Sequence, residues 1–196
     1  MAFYTSGVYP VQFRVDYPDQ PLGRGSTFFR FILMIPIAIV AAALSSAGGI
    51  LTCPLFLMIV FRQKYPRWWF DWNLALMQFY NRVAVYILLM RDEYPSTEDE
   101  QAIHLEVAYP DAQAGLNRFM PFVKWLLAIP HYIVLMLLWI GVWLVSVFAW
   151  FAILFTAKYP RGAFEFVEGT IRWQNRVTCY AIALTTDRYP PFRFKD

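Results

Sequence analysis

Two long stretches of this sequence contain no charged residue, and they restrict the possible folds more than any other feature. Residues 31–61 and residues 125–157 each lie between two basic residues. A helix that crosses a membrane needs about 20 mainly apolar residues. The 196-residue chain is 59% hydrophobic and 16% charged, so too few residues remain to surround both stretches in a soluble core. We therefore predict a mainly α-helical integral membrane protein.

The length of each stretch leaves its path through the membrane open. Each is too long for one upright helix and too short for two full-length helices. In the first stretch a Ser-Ser-Ala-Gly-Gly segment at 45–49 lies between Pro36 and Pro54, and such residues favour a turn between helices. We predict an apolar helical hairpin in each stretch, which gives four short membrane helices. One long tilted or kinked helix per stretch, or a re-entrant hairpin, is the alternative.

The same unit occurs twice in the chain. Lys-Tyr-Pro-Arg at 64–67 recurs at 158–161, and Asn-Arg-Val at 81–83 recurs at 175–177, both with an offset of 94 residues. Several shared words in the same order are unlikely to arise by chance. We predict two tandem membrane repeats. The first repeat lies in residues 1–98 and the second in residues 99–196.

Each repeat begins with an alternating segment that predicts a short strand. Val11, Phe13 and Val15 alternate with polar residues, and residues 103–108 show the same pattern. Isolated strands have marginal stability, so we expect the two strands to pair in a small sheet. Such pairing requires both repeats on one side of the membrane, and hairpins provide that arrangement. Every Lys and Arg lies outside the two stretches, so the positive-inside rule predicts cytoplasmic polar parts and termini.

An amphipathic helix is predicted after each Lys-Tyr-Pro-Arg turn. In the second repeat, charged residues recur every three or four positions and form one polar stripe, which consists of Glu165, Glu168, Arg172 and Arg176. The accompanying Trp and Tyr residues suit the headgroup level of a membrane, so we predict an interfacial position. The apolar segments at the ends of these helices, 83–90 and 177–184, are compatible with helix or strand. Phe192–Phe194 suggest one further short strand.

The Lys-Tyr-Pro-Arg turns are the most specific local signal for binding. Pro stops the helix, Tyr suits headgroup depth, and Lys and Arg can reach lipid phosphates. The arginines of the Asn-Arg-Val words can do the same, or can pair with carboxylates of their own interface. The predicted headgroup and interface residues are Lys64, Tyr65, Arg67, Arg82, Lys158, Tyr159, Arg161 and Arg176.

No pattern of catalytic, cofactor or metal-binding residues stands out in the sequence. His131 is the only residue that suggests a proton or metal site, and it lacks a sequence-near Cys, Asp or Glu partner. Cys53 lies inside an apolar stretch, so a disulfide with Cys179 is not expected. There is no HExxH, CxxC or phosphate-binding loop, and no basic run suits a nucleic acid. We predict a protein without enzymatic activity, cofactor, metal or nucleic-acid partner.

Four segments resemble one family. They are Ile-Pro-His at 129–131, Lys-Tyr-Pro-Arg at 158–161, Arg-Trp-Gln-Asn-Arg-Val at 172–177, and Thr-Asp-Arg-Tyr-Pro-Pro-Phe at 186–192. They are similar to the bacterial membrane family known only as domain of unknown function number 4389. The resemblance covers both repeats.

The first repeat departs from the family pattern at two positions. Ile37 stands where the second repeat has His131, and Ser96 stands where it has Pro191. The resemblance implies a bacterial integral membrane protein, and it implies no activity. We therefore predict a location in the bacterial cytoplasmic (inner) membrane.

The leading functional hypothesis is a non-enzymatic scaffold or accessory subunit. It would assemble as a homo-oligomer or with other membrane proteins, through small residues that let helices approach closely. The alternative is a protein that binds or handles anionic membrane lipids through the basic residues of the turns.

Overall fold

The computed structural model of the chain is mostly helical. It describes residues 9–97, 99, 101–113 and 115–195, with no side chains for residues 46–53. The elements in chain order are β1 (Val11–Val15), α1 (Arg24–Phe28), α2 (Arg30–Arg62), α3 (Arg67–Ile87), β2 (Ile103–Val107), α4 (Met120–Leu127), α5 (Ile129–Thr156) and α6 (Arg161–Ala181).

The predicted helical hairpins are wrong, because each apolar stretch forms one long helix. α2 is a single helix of 33 residues with Pro36 and Pro54 inside it, and α5 is a single helix of 28 residues. α3 runs antiparallel to α2, and Tyr80 donates to the carbonyl of Ala41 at 2.8 Å. These tertiary contacts outweigh the local turn preference of the small residues. The side chains of Ser46, Ala47, Gly48, Gly49 and Cys53 lie outside the described residues.

The two predicted strands form and pair with each other. β1 and β2 are antiparallel, with Phe13 directly opposite Leu105. These two residues occupy the same position in their repeats, 92 residues apart. Pairing of equivalent residues in an antiparallel sheet places a pseudo-twofold axis between them.

A second pair of equivalent residues lies at the interface of the repeats. The side-chain amide of Asn81 donates to Asn175 Oδ1 at 3.0 Å, and the amide of Asn175 donates back to Asn81 Oδ1 at 2.9 Å. Both side chains are buried. The recurring Asn of the Asn-Arg-Val word therefore bonds to its own counterpart.

We expect the reciprocal Asn pair to be strongly coupled. Asn81→Leu leaves the amide of Asn175 buried without its partner, which costs about 1–3 kcal/mol of unfolding free energy. Asn81→Leu/Asn175→Leu removes both amides and should cost less than the sum of the single variants. Denaturant unfolding of the four proteins measures the coupling. Strictly additive losses would contradict the pairing.

The strands are exchanged between the repeats. β1 packs mainly on α6, and β2 packs on α3. Arg172 donates to the carbonyl of Phe13 at 2.7 Å, and its counterpart Gln78 donates to the carbonyl of Leu105 at 3.2 Å. Each repeat therefore completes its fold with the strand that precedes the other repeat.

The molecule has three layers. The sheet covers α3 and α6, which form the middle layer, and these pack on α2 and α5, the apolar layer. α2 and α5 are antiparallel, because the start of the first apolar stretch meets the end of α5. Trp150 Nε1 donates to the carbonyl of Thr27 at 3.2 Å, and the Phe56 and Phe122 rings contact at 4.7 Å at the opposite end.

The face of the apolar layer that points away from the sheet is exposed; we call it the outer face. The buried side chains of α5, such as Leu135 and Val142, lie towards α6. The exposed large apolar side chains of α5 are Ile129, Tyr132, Ile133, Met136, Leu137, Ile140, Trp143, Leu144, Val147, Phe148, Phe151 and Phe155. Those of α2 are Phe31, Ile32, Leu33, Ile35, Ile39, Val40, Leu57 and Phe61.

One helix among the described residues is long and apolar enough to cross a membrane. It runs from Met120 to Thr156 through α4 and α5, and only 22% of its most apolar window is buried. The apolar helix found in the described part of the first stretch, Arg30–Ser45, is shorter. The mostly helical fold, the two repeats and the small sheet are confirmed, whereas integral membrane insertion stays a prediction.

The apolar segments 83–90 and 177–184 continue the amphipathic helices for part of their length and form no strand. α3 ends at Ile87 and α6 at Ala181, and each is followed by a leucine in the left-handed region. Leu89 has φ 64° and Leu184 has φ 54°, a conformation that side chains rarely adopt. The strand suggested at 192–194 does not form, because Phe192 stacks on His131 instead.

Candidate functional site

Each Lys-Tyr-Pro-Arg turn lines a surface pocket together with a loop of the other repeat. The first pocket, about 770 Å³, combines the turn at 64–67 with the Tyr-Pro-Asp loop at 109–111. The second pocket, about 450 Å³, combines the turn at 158–161 with the equivalent loop at 17–19. Strand exchange builds both pockets, because each loop directly follows an exchanged strand.

The two pockets share the same contacts. In the first, Tyr109 donates its hydroxyl proton to the carbonyl of Tyr65 at 2.6 Å, and the Arg67 guanidinium lies 4.7 Å from the Tyr109 ring centroid. In the second, Tyr17 donates to the carbonyl of Tyr159, and Arg161 lies 4.8 Å from the Tyr17 centroid. Six of the predicted residues are thus placed at corresponding positions of the two pockets, namely Lys64, Tyr65 and Arg67 in the first and Lys158, Tyr159 and Arg161 in the second.

Basic side chains outnumber carboxylates in the lining of both pockets. Arg62, Lys64 and Arg67 line the first pocket and are exposed, and among the described residues Asp111 is the one carboxylate in its lining. Lys158 and Arg161 line the second pocket with one carboxylate, that of Asp19. Arg67 also pairs with Asp71 at 3.1 Å, which holds it in place at the surface.

Each turn also forms the N-terminus of a 21-residue helix. α3 follows Pro66 and α6 follows Pro160, and no side chain caps either helix. The first turn of each helix contains no acidic residue. A helix N-terminus carries partial positive charge, so it adds to the positive field of the pocket.

The two tyrosines of the turns, predicted at headgroup depth, lie in the core of the structure. Tyr65 and Tyr159 are buried, at 3% and 1% exposure. Tyr65 donates its hydroxyl proton to the carbonyl of Ala183 at 2.6 Å. Burial raises the pKa of both hydroxyls well above the usual range of tyrosine. Their rings fill the core under the turns, and only the flanking Lys and Arg reach the solvent.

Arg176, predicted as a headgroup or interface residue, lies in the core of the structure. Arg176 is fully buried and donates to the carbonyl of Arg193 at 3.1 Å. The partly buried Arg82 donates to the carbonyl of Ser96 at 2.8 Å. Both arginines hold the chain segment that follows their helix by donating to its backbone carbonyls.

The predicted interfacial position does not suit the middle-layer helices. α6 lies between the sheet and α5, so Trp173 is buried. Arg176 is buried as well, and this interrupts the exposed polar stripe of the helix. In α3, Trp69 is buried, whereas Trp68 is 69% exposed beside the first pocket. Packing on two sides removes most of both helices from any lipid headgroup.

Two ion pairs, each with a buried cation and a partly exposed carboxylate, were not predicted from the sequence. Lys124, which is 1% exposed, pairs with Asp187 at 2.7 Å and donates to the carbonyl of Thr186 at 2.8 Å. The counterpart of Lys124, Arg30, pairs in the same way with Asp92. The basic residues that precede the apolar stretches therefore bind the segments that follow the middle-layer helices.

The same carboxylates also hold the backbone in front of the apolar helices. Asp92 accepts from the backbone N–H of Gly23 at 2.5 Å, and Asp187 accepts from that of Asn117 at 2.6 Å. A signal was present in the sequence, because Asp stands two residues before Tyr-Pro in both repeats. Its partners are 62 or more residues distant, so local patterns cannot reveal the pairing.

His131 lies in a closed aromatic cluster. Trp173 Nε1 donates to His131 Nδ1 at 3.0 Å, and the His131 ring stacks on Phe192 at 4.0 Å. Within the described part of the chain, no three His, Cys, Asp or Glu residues come close enough together to hold a metal. The other histidine, His104, contacts Asp16 at 3.0 Å and lowers the pKa of that carboxyl.

The fold defines the class of this protein. It consists of two helical units that exchange strands around a pseudo-twofold axis and expose one apolar face. The chain belongs to the family described as Domain of unknown function (DUF4389), whose family model matches residues 24–97 and again residues 121–193. The predicted family and its two copies are thereby confirmed. Both matches begin after the exchanged strands. Neither a curated protein nor a solved structure matches the chain.

Proposed function

We propose that this chain is a non-enzymatic membrane protein that acts as a scaffold or accessory subunit in a bacterial inner membrane. The observation that carries the proposal is the outer face of the apolar layer. A soluble protein rarely exposes a contiguous apolar patch of more than a few hundred Å². Here large apolar side chains are exposed along the whole of α5 and along the described parts of α2.

The layered arrangement favours a position in the membrane plane rather than across the bilayer. If α5 crossed the bilayer, antiparallel α2 would cross beside it and the middle layer would lie at bilayer depth. That layer carries Glu165, Glu168 and Arg172, and each charge costs about 2.5–3.5 kcal/mol at the centre of a membrane. With the pseudo-twofold axis along the membrane normal, the outer face enters the lipid and every polar layer stays on one side.

This orientation replaces the four crossing helices expected from the sequence and keeps the polar parts on one side. The positive-inside rule then favours the cytoplasmic leaflet. An amphipathic surface of this kind binds in proportion to the apolar area that it buries. The sheet side remains free for a protein partner or a second copy of the chain.

Labelling of single cysteines in intact membranes tests the orientation. We expect Lys64→Cys and Lys158→Cys to react from the same, cytoplasmic side with an impermeant maleimide. A crossing α5 with antiparallel α2 would place the two positions on opposite sides. Both variants are made in a protein that carries Cys53→Ala. Cys179 is retained because it is fully buried and burial raises its pKa to about 12, so it should not react with the maleimide. Labelling from opposite sides would refute the in-plane orientation.

The scaffold role has a separate test. We expect the protein, purified from its own membrane in mild detergent, to elute as an oligomer or with other membrane proteins. Light scattering gives the protein mass without the detergent, and mass spectrometry identifies what co-purifies. A strictly monomeric particle without partners would count against a scaffold while leaving the membrane orientation intact.

A further inference from the structure

We propose that each of the two pockets binds the phosphate of one anionic lipid headgroup, so that the chain holds two such lipids. This inference rests on the proposed membrane position, since it places both pockets beside lipid. It goes further by naming the ligand class, the number of sites and the residues that hold each phosphate. These are Lys64 and Arg67 in the first pocket, and Lys158 and Arg161 in the second.

The pockets lie where the outer face ends. Phe61, at 73% exposure, is in the last turn of α2 beside the first pocket, and Trp68 lines that pocket. Phe155, at 78% exposure, is in the last turn of α5 beside the second pocket. An acyl chain on the outer face therefore has a cationic pocket within reach of its headgroup. Exposed aromatic rings next to Lys and Arg are typical of the membrane interface.

The cations of the pockets are held in position for an anion. The Arg67 guanidinium is oriented at the first pocket by an exposed ion pair, in which its Nε lies 3.1 Å from Asp71 Oδ1. Lys64 and Lys158 are exposed at the turns. Arg161 rests on the ring of Tyr17, and this contact fixes the guanidinium without neutralising it. The uncapped first turns of α3 and α6 point backbone N–H groups to the same region, where phosphate oxygens are suitable acceptors.

The pseudo-twofold axis places the two pockets at opposite ends of the apolar layer. Because this axis lies along the membrane normal in the proposed orientation, both pockets reach the headgroups of the same leaflet. The first pocket has the extra cation Arg62 and the larger volume, about 770 Å³ against about 450 Å³. We therefore expect the first pocket to retain its lipid more strongly.

Native mass spectrometry of the full chain in detergent tests the number of sites. Titration with phosphatidylglycerol should give up to two retained lipids on the wild type. Lys64→Gln/Arg67→Gln and Lys158→Gln/Arg161→Gln should each retain one, with apparent affinity at the altered pocket reduced about tenfold or more. The variant with all four substitutions should retain none. Phosphatidylcholine, which has no net charge, should show no dependence on these substitutions.

A matched control separates specific pockets from net charge. Arg14→Gln/Lys195→Gln removes two exposed cations outside both pockets and should still retain two lipids. Equal loss in this control, or two lipids retained by the fourfold variant, would overturn the inference. Displacement of the lipid by soluble glycerol phosphate at equal concentration would assign the pockets to a free phosphate ligand and overturn the lipid assignment.

Flotation with vesicles distinguishes failure of the proposed membrane function from failure of the proposed lipid sites. If the wild type floats with neither neutral nor anionic vesicles, the proposed function is wrong and the lipid sites fall with it. If it floats equally with both, and the pocket variants behave as the wild type, the membrane function stands and the lipid sites are refuted.

Discussion

Lys124→Met is expected to lower the free energy of unfolding by about 3 kcal/mol. The substitution keeps a side chain of similar length in a site that is 1% exposed, but it leaves the carboxylate of Asp187 without its cation. Removing one member of a buried ion pair is costly, because the remaining charge loses its partner and cannot regain full hydration. Denaturant unfolding in a mild detergent, followed by tryptophan fluorescence, measures the loss.

The double variant Lys124→Met/Asp187→Leu distinguishes the ion pair from packing. It removes both charges and should recover a substantial part of the lost stability, since apolar replacement of a buried pair is often nearly neutral. Asp187 also accepts from the backbone of Asn117, so recovery should be incomplete. A double variant that is as unstable as the sum of the single variants would show that the charges are not coupled.

Leu144→Glu/Phe148→Glu is expected to abolish stable association with the membrane. Both side chains are exposed on the outer face, at 68% and 61%. Burial of an apolar side chain of this size contributes about 1.5–3 kcal/mol, and a carboxylate is strongly disfavoured at the same depth. We therefore expect the membrane-bound fraction to fall more than about 100-fold. Flotation of the protein with vesicles on a density gradient measures the bound fraction.

The control for this experiment adds the same charge elsewhere. Ala75→Glu/Thr97→Glu places two carboxylates at exposed positions away from the outer face and from both pockets and should leave most of the protein bound. Circular dichroism should show native helix content in both variants, because all four positions are exposed in the fold. Unchanged flotation of Leu144→Glu/Phe148→Glu would refute the membrane role of the outer face.

The correspondence of the two repeats could be predicted in unusual detail. The recurring words locate the strands, the starts of α3 and α6, and the residues that line both pockets. Both repeats also contain the residues of the ion pairs, but the sequence did not show that these residues pair with each other. Arg30 and Asp92 are far apart in the sequence, and a lone Asp near a Tyr-Pro turn resembles an ordinary loop residue.

Predictions for individual side chains failed where the strand exchange decides burial. Tyr65 and Tyr159 were predicted at the membrane interface because tyrosine is common there. In the structure, loops of the other repeat cover both residues. Arg176 continues the polar stripe of its helix, yet the C-terminal segment folds over it. Helical periodicity identifies which residues share a face, and it does not identify what packs on that face.

By itself, the sequence determined the duplication, the helical and strand segments and the apolar character of α2 and α5, since all of these are expressed in local periodicity and in words repeated at one offset. Only the tertiary structure decided that each apolar stretch is one continuous helix and that each strand completes the other repeat. It also decided that equivalent residues, Asn81 and Asn175, meet on an axis. These outcomes depend on contacts between segments that are distant in the sequence, 39 residues for Ala41 and Tyr80 and 94 for Asn81 and Asn175, where packing energy outweighs the local preference for a turn.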